Sequence, residues 1–208
     1  MIWDTLAQFP AQQLLAFMAG ALVLNLTPGQ DVLFASACGI QDGPKAGALA
    51  GLGVGIGGSV HVAFCALGLG ALVAAQPGAL AAIKSLGAVY LLILAWKSWH
   101  ATALECAAQP ARSPGALVGR GALANLLNPK PILFLLAFLP QFTRPEYGPV
   151  GQQVLALGLM FVCSGTLVTM GYGMAAGLAG WAMAARMRVV NRLASVLFAG
   201  LALRLVWK

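Results

Sequence analysis

The sequence predicts an all-α integral membrane protein, with six transmembrane helices forming two inverted three-helix repeats whose first and fourth helices are interrupted. Three observations predict this. Charge is scarce: 12 Lys and Arg and 5 Asp and Glu in 208 residues make 8%, against about 25% in soluble domains. The chain runs 38 residues without a charge between Lys45 and Lys84, and 39 between Glu146 and Arg186, where about 20 apolar residues suffice to cross a bilayer. Finally, a proline-broken polar motif recurs about 100 residues later in the chain. A soluble enzyme, a nucleic-acid binder and a disulfide-stapled secreted domain are excluded, because 60% hydrophobic residues leave no polar surface for a globule. The net charge of +7 lies scattered at the ends of apolar segments, as loop charge does.

Taken in order, the apolar segments fall near residues 12–36, 46–75, 79–99, 119–142, 150–178 and 188–207. Only Asp4 is charged ahead of the first, and a cleaved leader needs a positive start, so Leu14 onward reads as a retained helix. Repeat one covers about 10–99, a polar cytoplasmic linker about 100–118, and repeat two about 119–208, within one membrane domain over 1–208. Short turns at Gln76-Pro77-Gly78 and Arg144-Pro145-Glu146 lie at the other face. One side collects Lys45, Lys97, Arg112, Arg120, Arg186, Arg188 and Arg192, the other Lys84, Arg144, Arg204 and Lys208. The positive-inside rule then puts the linker in the cytoplasm and both termini outside.

The repeat aligns Asn25-Leu26 with Asn125-Leu126, and Val32-Leu33-Phe34 with Ile132-Leu133-Phe134. Between these anchors stand Thr27-Pro28-Gly29-Gln30-Asp31 in one copy and Asn128-Pro129-Lys130-Pro131 in the other. An odd number of spans per copy inverts the second, and inverted repeats with matched interrupted helices mark secondary transporters. Pro28 lacks an N–H, so the Leu24 carbonyl is expected to lose its helical partner; Pro129 frees that of Asn125, and Pro131 that of Leu127. Irregular backbone at membrane depth survives only inside protein or against a wet cavity. Both breaks therefore point toward a central binding site, the second near mid-bilayer and the first somewhat nearer the cytoplasm.

A small zwitterion suits the groups available there. The half-helix starting at Gln30 offers free N–H groups and the positive end of its dipole to a carboxylate. Freed carbonyls and Asp31 can accept from an ammonium group, while Asn25, Asn125 and Asn128 add neutral donors and acceptors. Asp31 and Lys130 are the charged residues within the breaks, and an ionised group at this depth marks function unless it is paired. Either they neutralise each other as a structural pair, or they bind substrate charge or carry a coupling proton. His61, in the second segment, could join a relay with Asp31 or serve as an interhelical hydrogen bonder.

Gly43, Gly47, Gly51 and Gly55 recur every four residues and Gly53 and Gly57 repeat the spacing, which allows close helix packing. Trp3, Trp96, Trp99, Trp181 and Trp207 lie near predicted interfaces, as an aromatic belt does. The cysteines Cys38, Cys65, Cys106 and Cys163 are far apart and lack metal-ligand spacing. No disulfide, metal site or cofactor is expected. Ser59 and His61 are two residues apart, on different helix faces, with no nucleophile elbow, which argues against an intramembrane hydrolase.

These motifs resemble the LysE/RhtB family of bacterial amino-acid exporters. The likeness rests on Thr27-Pro28-Gly29 with Asp31, the Gly-rich segment containing His61, Gly87-Ala88-Val89-Tyr90-Leu91, and Asn128-Pro129-Lys130 followed by Phe138-Leu139-Pro140-Gln141-Phe142. It covers essentially the whole chain, in the family's order. It implies export of amino acids across the bacterial inner membrane, driven by proton exchange. The residues carried over are Thr27, Pro28, Gly29 and Asp31, with Asn128, Pro129 and Lys130. Gln30 replaces the family's usual second proline, restoring an N–H and adding an amide. The Thr-Pro-Gly break resembles the threonine/homoserine-type branch for neutral amino acids. A metal or inorganic-ion transporter of related architecture is the alternative. It would call for clustered carboxylates or histidines, and only Asp31 and His61 are at hand.

Overall fold

The computed structural model describes residues 2–76, 79–100 and 113–179, together with residues 192, 195, 196, 199, 200, 202 and 203. The helices are α1 (Ile2–Ala7), α2 (Ala11–Leu26), α3 (Gln30–Asp42), α4 (Pro44–Ala75), α5 (Ala79–Trp99), α6 (Pro114–Leu126), α7 (Pro129–Phe142) and α8 (Val150–Ala179). A 3₁₀ turn, Pro145–Tyr147, precedes α8. Among the described residues two helices, over Pro44–Leu72 and Val150–Ala179, are long and apolar enough to cross a membrane, and two bent pairs pass the same test as broken spans. These are α2 with α3, bent by 52°, and α6 with α7, bent by 57°. The expected 12–36 and 119–142 segments are thus each two helices, reaching to Asp42 and back to Pro114.

Other expectations need adjustment. The expected linker over 100–118 gives way to helix at Pro114, because Ser113 caps α6 by accepting from the Ala116 N–H at 3.4 Å and proline suits the first helical position. Residues 101–112 of that linker and most of the expected segment at 188–207 lie outside the described residues, as do Cys106, Arg112, Trp181, Arg186, Arg188, Arg204, Trp207 and Lys208. Cys38, Cys65 and Cys163 are not joined in disulfides among the described residues. Trp96 and Trp99 are exposed, with the Arg192 guanidinium 5.7 Å over the Trp99 ring.

Glycine organises the packing in two ways. Gly43 ends α3 and begins α4 with φ of +89°, a conformation L side chains rarely adopt, and nothing stands within 4 Å of where its Cβ would be. It is a turn residue, contrary to its place in the expected packing stripe. The rest of the stripe divides between two neighbours. A Cβ on Gly47, Gly51 or Gly55 would collide with Gly173, Met170 or Thr166 of α8, whereas one on Gly53 or Gly57 would collide with Val118 or Ala122 of α6. The pairing of rising α4 numbers with falling α8 numbers makes the two helices antiparallel. α4 is therefore held between α6 and α8 at backbone contact, which dispersion and small residues make favourable in lipid.

Beyond the breaks lies an aromatic column. Phe134, Phe138 and Phe142 form one stripe of α7, with ring centroids 4.6 and 4.8 Å apart in succession, and Phe17 of α2 packs on the last two. At its far end Gln13 Nε2 donates to the Phe142 carbonyl at 2.6 Å, and the Tyr147 hydroxyl donates to Gln13 Oε1 at 3.3 Å. Gln153, fully buried, staples the loop between α7 and α8: Oε1 accepts from the Arg144 N–H at 3.1 Å, and Nε2 donates to the Arg144 and Gly148 carbonyls at 2.8 and 2.6 Å. Gln153→Leu removes the partner of these three part-buried backbone groups, each hydrogen bond contributing about 0.5–1.5 kcal/mol. The expected result is a loss of about 3 kcal/mol, seen as a lowered melting transition of the detergent-solubilised protein.

Candidate functional site

Each break is a proline dictating local chain path. The Thr27 N–H reaches both the Val23 and Leu24 carbonyls, at 3.1 and 3.0 Å, while its hydroxyl donates to Val23 at 2.5 Å. The chain then extends through Pro28 and Gly29, and α3 begins at Gln30 with no side-chain cap. In the second break the Asn128 N–H donates to the Asn125 carbonyl at 3.0 Å, and Asn128 caps α7 by accepting from the Lys130 N–H at 3.0 Å. The expectation of open carbonyls at Leu24 and Asn125 is corrected here. A tightened i→i−3 bond ahead of each proline re-satisfies them, and His61 Nε2 adds a second bond to the Asn125 carbonyl at 3.1 Å. A carbonyl can only accept, so that ring nitrogen carries the hydrogen.

Side chains, not backbone carbonyls, join the two breaks. Asp31, in the first turn of α3, accepts from Asn125 Nδ2 at 2.8 Å and from Asn128 Nδ2 at 3.1 Å. Two amide donors and the positive end of the α3 dipole compensate a carboxylate taken out of water. Its hydrogen bonds go to the asparagines rather than to Lys130. The Lys130 ammonium instead lies across Gly29, 3.1 Å from where a Cβ there would stand. A side chain at position 29 would push the ammonium aside by a few tenths of an ångström.

These groups line one cavity of about 70 Å³. It is roughly five water-sized spaces by the measure of 10–15 Å³ per water. Asn25, Thr27, Gly29, Asp31, Asn125, Asn128 and Lys130 all border it; Pro28, Gln30 and Pro129 do not, and Gln30 and Pro129 are exposed. Gln30 is the first residue of α3, outside the cavity lining. His61 borders Asn125 and is one residue removed from Asp31. The two breaks meet at one cavity, opposite Val54, Gly55 and Gly58 of α4 and the stretch from Phe161 to Thr169 of α8. Asn25 Nδ2 donates to the Phe161 carbonyl and Ser164 hydroxyl of α8, at 3.2 and 3.0 Å.

The walls contributed by the long helices are not evident in the breaks. α8 supplies Phe161, Val162, Gly165, Thr166 and Thr169, and α4 supplies Val54, Gly55 and Gly58. The Ser164-Gly165-Thr166 triplet inside a charge-free span was the available signal. Among the described residues no group of three or more His, Cys, Asp or Glu could hold a metal ion.

Proline-broken helices meeting around a buried, charged cavity, packed on two apolar helices of membrane-crossing length, describe a membrane transporter. The chain belongs to the LysE type translocator family, whose family model matches residues 22–208. It is 33% identical over 190 residues to a homoserine/homoserine lactone efflux protein of Salmonella typhi, covering 88% of this chain and 90% of that protein. It is 32% identical over 204 residues to a leucine efflux protein of Salmonella typhimurium, covering 91% and 92%. It is also 35% identical over 162 residues to an uncharacterized membrane protein of Vibrio cholerae, covering 76% and 78%. No solved structure matches the chain.

Proposed function

We propose that this protein is a secondary exporter of amino acids from the bacterial cytoplasm, coupled to protons and working by alternating access around its two helix breaks. The observation that carries this reading is the cross-bracing of Asp31 on one break by Asn125 and Asn128 on the other, inside a cavity at mid-helix depth. The efflux proteins of Salmonella support the substrate class. Two inverted three-helix repeats are supported by the antiparallel α4 and α8 and by a matched contact: Asn25 packs on Gly165 of α8, and Asn125 on Gly57 of α4. In the proposed cycle Lys130 holds the substrate carboxylate and Asp31 alternates between a proton and the substrate ammonium. The column from Phe134 to Phe142, with its Gln13 and Tyr147 latch, closes the outer end. The membrane is the inner membrane, both termini face outward, and the chain forms one domain of two repeats. A metal or inorganic-ion transporter has less support, since His61 turns to a carbonyl instead of joining Asp31.

Cells overproducing the protein and fed dipeptides should accumulate free amino acids outside, and purified protein in proteoliposomes should export them faster under an imposed pH gradient. Export indifferent to that gradient would overturn the proton coupling. For His61 we expect the hydrogen-bonding role to dominate. His61→Gln keeps an N–H for the Asn125 carbonyl and should retain gradient-driven export, whereas His61→Leu should lose about 1–2 kcal/mol of stability with it. Loss of coupling in His61→Gln, with folding intact, would make His61 a proton carrier.

A further inference from the structure

We infer that the space over Gly58 is the subsite for the substrate's ammonium-bearing carbon and side chain, with Asn125 Oδ1 as acceptor and Gly58 and Val162 setting the side-chain size; this rests on the amino-acid reading above. The first observation is an orphaned acceptor. Asn125 is 3% exposed, and its Nδ2 is committed to the Asp31 carboxylate at 2.8 Å, which fixes the amide's orientation. Its Oδ1 is buried without a hydrogen-bond partner. A buried acceptor left unmade is costly, so this oxygen calls for a donor brought by the occupant of the cavity that Asn125 lines.

The second observation is the glycine beside it. Gly58 lines the same cavity, and a Cβ there would stand 3.9 Å from Asn125 Oδ1 and 3.2 Å from Val162 Cγ2. The missing side chain therefore keeps open the ground between the acceptor and an apolar wall. A solute seated there meets an oxygen acceptor on one side and Val54, Phe161 and Val162 on the other. Thr166 adds little polarity, because its hydroxyl proton is already donated to the Val162 carbonyl at 2.7 Å. Asp31 and Lys130 are the charged residues of the lining, and both lie at the break end. Among the described residues this wall holds no counter-charge for a second charge on the substrate. The chemistry selects an amino acid with a free primary ammonium and a compact, uncharged aliphatic side chain. Because the space is only about 70 Å³, one methyl group on the wall is decisive.

The test measures export of radiolabelled L-alanine and L-leucine from proteoliposomes containing the full-length protein. Gly58→Ala should lower the leucine-to-alanine ratio about tenfold, the discrimination available from one methylene in an apolar pocket. Val162→Ala, which enlarges the same wall and keeps the test open if the first variant folds poorly, should raise the ratio. N-acetyl-leucine, which lacks the ammonium, should not compete. Ratios within about twofold of the parent in both variants, or competition by N-acetyl-leucine equal to that of leucine, would overturn the inference while leaving amino-acid export standing. A parent protein that moves neither amino acid would overturn the underlying reading instead.

Discussion

Asp31→Asn is expected to lower export about ten- to a hundredfold, while the protein still inserts and folds. The carboxylate now accepts from both Asn125 and Asn128. An asparagine there offers one carbonyl oxygen and one NH₂, so one of the two partner amides must face another donor. A buried donor without an acceptor costs about 1–3 kcal/mol, equivalent to that fold-range at 1.4 kcal/mol per decade. Beyond this local cost, the substitution removes the group that carries the proton in the proposed cycle. Export from proteoliposomes as a function of the pH gradient measures both effects, and undiminished gradient-dependent export by the variant would dismiss Asp31 as the coupling group. Lys130→Met supplies the companion test: it keeps the length of the side chain over Gly29 but removes the charge, and should weaken substrate binding more than it harms folding.

The larger structural effect is expected at Gly173. Its backbone faces Gly47 of α4, and a Cβ on Gly39 of α3 would collide with its carbonyl. Gly173→Val therefore drives a side chain into the Gly47 backbone. That backbone is not a flexible side-chain end that can swing aside, so α8 must separate from α4 and lose its packing along it. Overpacking of this kind costs about 3 kcal/mol or more. Little monodisperse protein should survive detergent extraction and size-exclusion chromatography. Gly171→Val is the matched control: it lies on the same helix, is exposed, and has nothing within 4 Å of its would-be Cβ. It pays the same β-branched helix cost without the collision. Equal behaviour of the two variants would mean that the helices do not approach as described.

Much of the site was legible in the chain because proline and glycine act locally. Pro28 and Pro129 remove backbone donors wherever they occur, so the breaks could be placed to within a residue or two, and the charges beside them singled out. What local chemistry could not supply was the fate of the freed groups. The Leu24 and Asn125 carbonyls are recaptured by N–H groups of residues three further along, a choice made by the bend of each span. The role of asparagine was also only half visible. Asn125 and Asn128 were recognisable as polar residues at depth, yet their joint grip on Asp31 depends on chain segments nearly a hundred residues apart meeting. Gln153 gave no motif at all, since a lone glutamine in an apolar helix acquires its importance only from the loop that folds over it.

The sequence by itself determined that this protein lives in a membrane, where its helices are interrupted, and which charges lie at those interruptions. Each of these follows from properties a residue carries with it: hydrophobicity, a missing N–H, an ionisable group. The tertiary structure alone decided that Asp31 is held by amides rather than by Lys130, and that α4 and α8 complete the walls of the cavity the two interruptions share. Those outcomes depend on which backbones can approach one another. In a chain so uniformly apolar, that is set by glycine-to-glycine contacts between distant helices and not by any pattern along a single one.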